Sequence, residues 1–360
     1  MTNAIQPEIL DLRHFAASAL RPLLEQESRL WADRIRWDYR NSIELLLGYF
    51  DQRSLPGYVA LTQGKVTGYV FCVYEGSKAI VGGAFASPAP APLAGSHANH
   101  STANHLADNS IANAPAHANA PDAAASTHDT EVRLLRHLLE TLQHSPQVNR
   151  IESQLLLHPA GALHPAFLAA GFQPYRRLLL ELDLENPAAA SVPHDLSRRG
   201  NLVMRRWEDS DFHHAAQLVH QSYAGHIDAH INDQYRTIAG AERFLHNIIR
   251  FPGCGFFDAG ASRVVVQGGS GEMVGLLLCS RVRSDVAHIT QLCVAPQLRG
   301  QGVAHAMLDA NQAHLHYQRF AAITLTVTEK NSAAVDLYSQ RGLQLRHDFE
   351  AFIWDKNPAG

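Results

Sequence analysis

The sequence predicts a mixed α/β fold: a mostly antiparallel central sheet flanked by helices, built twice in tandem. Three observations predict it. Strand-like and helix-like stretches alternate along the chain. Their order starts afresh after residue 201. Each half closes on a short helix, a glycine and a final strand, at Gly171-Phe172 and again at Gly342-Leu343.

In order, Ile9 to Leu47 is mainly helical in pattern, with Ala17, Leu20, Leu23 and Leu24, then Ile43, Leu46 and Leu47, at helix spacing. Pro22 belongs early in a helix or breaks it. Gly57 to Leu61 and Val66 to Val73 form a hairpin about a turn at Gly64, and a further strand runs from Lys78 to Phe85. Val132, Leu135, Leu138 and Leu139 make Glu131 to Leu142 an amphipathic helix. Arg150 to Leu157 is a strand, Pro165 to Ala170 a short helix that Gly171 ends, and Tyr175 to Leu184 a strand. In the second half Leu202 to Arg206 is a strand, and Asp209 to Asp211 offer caps for a helix through Ala216, Leu218 and Val219. A second helix spans Tyr235 to Arg250. Strands follow at 264–266, 274–279 and 287–294, then a glycine loop with its helix, a strand at 323–328, a helix at 332–340 and a closing strand at 345–354.

Two stretches stand apart. Residues 87–128 are nearly all Ala, Asn, His, Pro, Ser and Gly. They bury too little apolar surface to offset chain entropy, so the segment is expected to be disordered. Its histidines (His97, His100, His105, His117, His128) are irregularly spaced with no acid or thiol cluster beside them, so no metal is assigned. Residues 187–200, with two prolines and a closing Arg-Arg-Gly, read as a linker between domains at 1–186 and 201–356. Pro296 to Gly342 spans 46 residues and Pro88 to Gly171 spans 83; the excess of 37 approximates the Ala/Asn/His segment. The insert therefore falls where the first half would carry its own glycine loop.

Composition narrows the function. At 360 residues, 46% hydrophobic and 18% charged, the chain has the make-up of a soluble two-domain protein. A net charge of −4 gives no broad attraction to nucleic acid or anionic membrane. The N-terminal residues lack a basic start and an apolar run, and no apolar span is long enough for a bilayer, so a cytoplasmic location is expected. Cys72, Cys254, Cys279 and Cys293 are widely spaced, with no C-x-x-C, and read as reduced core residues.

The informative stretch is Gln291 to Leu308. A strand ends at Val294, Pro296 stops it, and Gln297-Leu-Arg-Gly-Gln-Gly302 precedes a helix from Val303. Two glycines one residue apart allow a tight turn and close approach to a ligand. The free N–H groups and dipole at the helix start favour an anion, so the loop reads as a pyrophosphate cradle. No Gly-Lys-Ser/Thr follows, and the third glycine of the dinucleotide fingerprint is missing.

This loop resembles the acyl-CoA loop of the GNAT acyltransferases, Gln/Arg-x-x-Gly-x-Gly/Ala after a strand ending in Val. A second stretch, from Thr326 through Asn331 and Tyr338 to Gly342-Leu343, resembles that family's later motif. The resemblance covers Asn201 to Asp355 by motif and the first half by topology. It implies acetyl-CoA, or another acyl-CoA, as co-substrate without a metal. Gln297, Arg299, Gly300, Gln301, Gly302 and Val303 would hold the diphosphate. The Val294 N–H would polarise the thioester, Asn331 would cap its helix and bind the pantetheine arm, and Tyr338 would protonate the thiolate. Family members often carry a Glu on the strand before the loop; here Thr290 and Gln291 stand there, leaving His288 as a candidate base through water. The region of Tyr223, Asp228 and Tyr235 would border the acceptor. Counting back from Gly171 puts Phe167 and Ala160 at the tyrosine and asparagine positions of the first half, which marks it as a degenerate copy.

The expected activity is acyl transfer to an amine by direct attack in a ternary complex. The expected partner is a small-molecule or peptide amine, with no nucleic acid or membrane, and a homodimer is an allowed assembly. A non-catalytic acyl-CoA sensor or docking protein is the alternative; an aminoacyl transferase using charged tRNA fits the charge balance poorly.

Overall fold

The structure is a computed structural model describing residues 6–87, 120–185, 196, 201–251 and 255–357. The first half runs β1 (Glu8–Asp11), α1 (Ala17–Leu30), a π-helical turn (Trp31–Ile35), α2 (Arg40–Asp51), β2 (Gly57–Thr62), β3 (Lys65–Glu75), β4 (Lys78–Ala86), α3 (Ala120–His144), β5 (Arg150–Gln154), α4 (His164–Ala169) and β6 (Gln173–Asp183). The second half runs β7 (Leu202–Arg206), α5 (Phe212–Tyr223), α6 (Asp228–Ile231), α7 (Ile238–Arg250), β8 (Phe256–Phe257), β9 (Arg263–Gln267), β10 (Met273–Arg283), β11 (Val286–Val294), α8 (Val303–Tyr317), β12 (Ala322–Thr328), α9 (Ser332–Gln340) and β13 (Gln344–Asp355).

Three sequence expectations change. The N-terminal stretch opens on a strand, β1, which pairs with β2 and is too short to carry a readable period. Helix α3 starts at Ala120 rather than Glu131, so the expectation of disorder fails for residues 120–128. Alanine is the best helix former, and a criterion built on low hydrophobicity ignores that. Helix α7 starts at Ile238 rather than Tyr235, because the Thr237 side chain accepts the Gly240 N–H at 2.9 Å and fixes the first turn there. Residues 88–119, with His97, His100, His105 and His117, lie outside the described residues. So do Cys254 and, apart from Leu196, the 187–200 stretch.

The strands form one sheet in the order β1-β2-β3-β4-β5-β13-β6-β12-β11-β10-β9-β7, with β8 beside β10. Pairing is antiparallel throughout the described strands except for β4 with β5 and β11 with β12. The order is a palindrome with exchange at its centre. The final strand of the second half, β13, lies against β5, and the final strand of the first half, β6, lies against β12. The two pair with each other along the middle.

The cores follow the exchange. Leu180, Leu182 and Leu184 at the end of the first half are buried in the core of the second. Phe352 of β13 is buried in the core of the first, its ring stacked 4.0 Å from that of Phe167. Burial of each such side chain contributes about 1.5–3 kcal/mol. Cys72, Cys279 and Cys293 are free and buried. Among the described residues no helix is long and apolar enough to cross a membrane.

Candidate active site

The site begins where β11 and β12 part. Their parallel pairing is limited to Val286–Ile289 with Ala322–Leu325. Across β10, Leu278 faces Gln291 and Cys279 faces Ile289, which leaves Thr290 as an extra residue. Such a bulge bends its strand and opens the ladder. Further along, Gly275 faces Val294 and the Ala295 N–H bonds the Val274 C=O at 2.9 Å. Gly275 and Val294 are therefore a non-hydrogen-bonded pair, and the Val294 N–H points away from β10 into the gap.

The glycine loop follows. Gly300 and Gly302 hold φ of 72° and 80°, left-handed values that a side chain resists. Gly302 is the N-cap of α8, and the first bond of that helix is Ala306 N–H to Gly302 C=O at 3.0 Å. The N–H groups of Val303 and Ala304 precede it, so the positive end of α8 faces the loop. The Arg299 side chain serves the loop itself: its Nη2 donates to the Ser222 C=O at 2.7 Å and its Nε reaches the Val294 C=O at 3.4 Å. Gln301 donates to the Gln297 C=O at 3.0 Å.

A cavity of about 410 Å³ joins these parts. Its walls include Val294, Arg299, Gly300, Gly302, Val303, Asn331, Tyr338, Tyr223 and His226. Asn331 caps α9 by accepting the Ala334 N–H at 3.4 Å. Tyr338 is 7% exposed, and its acidity is suppressed first by burial, then by the charge of Asp228 and by Cys293. It stays a neutral phenol able to donate its proton. The Cys293 thiol, also in the wall, is pushed up to about 12 by burial and is no nucleophile at neutral pH.

On the acceptor side, Tyr223 and Tyr235 stack with centroids 4.2 Å apart. Gln291 lies between their hydroxyls, donating to Tyr223 at 3.1 Å and accepting from Tyr235 at 3.5 Å. At the position where a carboxylate base was sought, this amide orients two phenols and takes no proton. Asp228 accepts from the Thr328 hydroxyl and sits 3.9 Å from Arg177. His226 takes the Asp228 N–H on Nδ1 at 3.1 Å. Asp228, Tyr235, Gln297 and Gln301 border the cavity's neighbourhood without forming its wall.

His288 is a correction. It is not part of the wall. Its Nδ1 lies 2.9 Å from the Thr324 hydroxyl and its ring stands edge-on to Trp37 at 4.9 Å. Burial, and then the charge of Arg177, lower its pKa to about 3. A strand histidine shows no facing in sequence, so its burial between the halves was not legible. Ser222, which donates to the Val294 C=O at 3.4 Å, was missed because it belongs to no motif.

The first half carries the same framework closed off. Gly68 faces Ala86 and the Ser87 N–H bonds the Thr67 C=O at 2.9 Å, so Ala86 stands where Val294 stands. Its N–H is taken by the buried Glu131 carboxylate at 3.1 Å. Helix α3 runs on past the point where α8 begins, which ties its N–H groups into intrahelical bonds. At the tyrosine position Phe167 is fully buried.

Residues 206–346 match the family model for the acetyltransferase (GNAT) domain. No curated protein matches the chain. Among the solved structures that share its fold are the following three. A tandem GNAT protein from the clavulanic acid biosynthesis pathway aligns at 14% identity and TM-score 0.53, covering 99% of this chain and 100% of its own. A GCN5-related N-acetyltransferase from Sphaerobacter thermophilus aligns at 14% and 0.56, covering 100% and 98%. A GCN5-related glucosamine N-acetyltransferase region of a fungal multi-domain GH3 β-N-acetylglucosaminidase aligns at 15% and 0.57, covering 98% of this chain and 38% of that one.

Proposed function

We propose that this protein, whose residues 206–346 match the GNAT acetyltransferase domain model within a fold shared with a tandem GNAT protein, transfers an acyl group from acetyl-CoA to an amine. The observation that carries the reading is the meeting, in one cavity, of the inward Val294 N–H, the glycine loop before α8, and the neutral Tyr338 phenol. Main-chain amides of Gly300 to Ala304 bind the diphosphate. The amine nitrogen attacks the thioester carbon, and charge building on the carbonyl oxygen is met by the Val294 N–H. Collapse breaks the C–S bond, Tyr338 gives its proton to the departing sulfur, and the amine proton passes to water. Tyr223, Tyr235 and Asp228 support an acceptor that arrives as an ammonium ion. The expected acceptor is a small-molecule or peptide amine, and the expected compartment the cytoplasm.

The amine must be neutral to attack. An α-amine with a pKa near about 8 is roughly one-tenth neutral at pH 7, whereas a lysine near about 10.4 is well under a thousandth. With no carboxylate among the described residues of the cavity wall, low-pKa amines should react faster, and rates should climb with pH until the amine is deprotonated. Thiol release from acetyl-CoA over a panel of α-amino acids, polyamines, amino sugars and peptides, at pH 6 to 10, tests this. Absence of release with every amine, alongside retained coenzyme A binding, would point to an acyl-CoA sensor.

A further inference from the structure

We infer that the first half is the clamp that holds the acceptor segment of the second half, residues 228–236, with Lys78, Arg150 and Glu152 as positioning residues. The inference rests on the reading that this segment borders the acceptor.

The contact is a buried charge network at the parallel start of β4 and β5. The Lys78 ammonium, its side chain 5% exposed, reaches Asp233 at 2.5 Å, Glu75 at 3.2 Å and Glu152 at 3.4 Å. Arg150 bonds Glu152 at 2.7 Å and Asp355 at 2.8 Å, and its Nη2 donates to the His230 C=O at 2.5 Å. Glu152 accepts the Asp233 N–H at 3.2 Å, while Glu75 takes the Gln234 amide at 3.0 Å and Arg243 at 2.8 Å. Besides pairing with one another, Glu75, Lys78, Arg150 and Glu152 thus each reach residues 230–243 or β13.

Burying so many charges is costly, and apolar side chains of similar size would often stabilise a fold at least as well. What the charges add is a defined position. The segment they fix holds Asp228 at Thr328 and stacks Tyr235 on Tyr223 in the cavity wall. The reciprocal contact carries fewer charges. The first half's residues 33–38 dock on the second through Asp38 N–H to Val282 C=O at 2.8 Å, Arg346 to the Asp33 C=O at 2.9 Å and Trp37 on His288, with one carboxylate, Glu181, shared by Arg36 at 2.9 Å and Arg346 at 3.3 Å. The contact beside the acceptor segment thus gathers three carboxylates around Lys78, where the reciprocal one uses a single carboxylate.

Hydrogen–deuterium exchange on the full chain tests the clamp without turnover, so it stands or falls apart from acyl transfer. In Lys78→Met, amides of 228–236 should exchange at least about ten-fold faster while those of β11 and α8 keep their rates. Coenzyme A affinity by calorimetry should stay within about two-fold, because the loop and α8 are untouched, and Lys78→Arg should restore slow exchange. If Lys78→Met does not fold, Asp233→Asn provides the milder break. Unchanged exchange at 228–236 in either folded variant, or equal acceleration throughout the sheet, would overturn the proposal.

Discussion

Tyr338 and Phe167 each lie four residues before the glycine that ends their helix, and one hydroxyl separates a phenol in a cavity wall from a ring buried on Phe352. Tyr338→Phe keeps the packing and removes the proton donor. Thiol release should fall about 10²- to 10⁴-fold with coenzyme A affinity unchanged; equal release would remove Tyr338 from the mechanism. Glu131 offers a second test. Burial raises its pKa from 4.5 to about 7, as it does that of Glu27, whose carboxylate takes the Tyr69 hydroxyl and, at 3.2 Å, the Trp31 N–H. Between those two pH values the folded chain keeps protons that the unfolded chain has lost. Stability from these groups is therefore fully present below pH 4.5 and declines as pH rises to 7, by up to about 3 kcal/mol for each. His288, held neutral, has the opposite slope over pH 3 to 6.5. In Glu131→Gln the melting temperature should fall less steeply across pH 4.5 to 7 than in the parent; parallel curves would show that the carboxyl is charged when folded.

At the scale of elements, what separates the halves is where a helix starts. Helix α8 begins after a left-handed glycine and presents its first N–H groups, whereas α3 continues N-terminally and has none to offer at that place. Gly302→Val forces a β-branched residue to φ near 80°. The strain, about 1–3 kcal/mol, should reshape the turn and weaken coenzyme A binding at least about ten-fold by calorimetry. A fold retained by circular dichroism with affinity intact would mean that the diphosphate lies elsewhere.

For the whole molecule, the strand exchange makes each half depend on the other. Removed from its partner, 201–360 would lose β6 from the edge of β12 and β5 from the edge of β13, along with Leu180 and Leu182 from its core. Exposed edges of that length invite pairing with a second copy. Expressed alone, 201–360 should be insoluble or a strand-swapped dimer, as light scattering after gel filtration would reveal. A stable monomer with coenzyme A affinity equal to that of the full chain would show that the exchange is dispensable.

The sequence by itself determined the local features: the two halves, the glycine turn, the Asn331 cap and the helix of Tyr338, because turn chemistry and helix period are written in short spacings. Alanine-rich residues 120–128 misled it, since composition argued against a core while propensity favoured a helix. Only the tertiary structure decided which strand lies beside which, that His288 is sealed between the halves, and that Glu131 occupies the Ala86 N–H. Those outcomes join residues tens to hundreds of positions apart, and a strand's pattern tells which face is buried but not what will cover it.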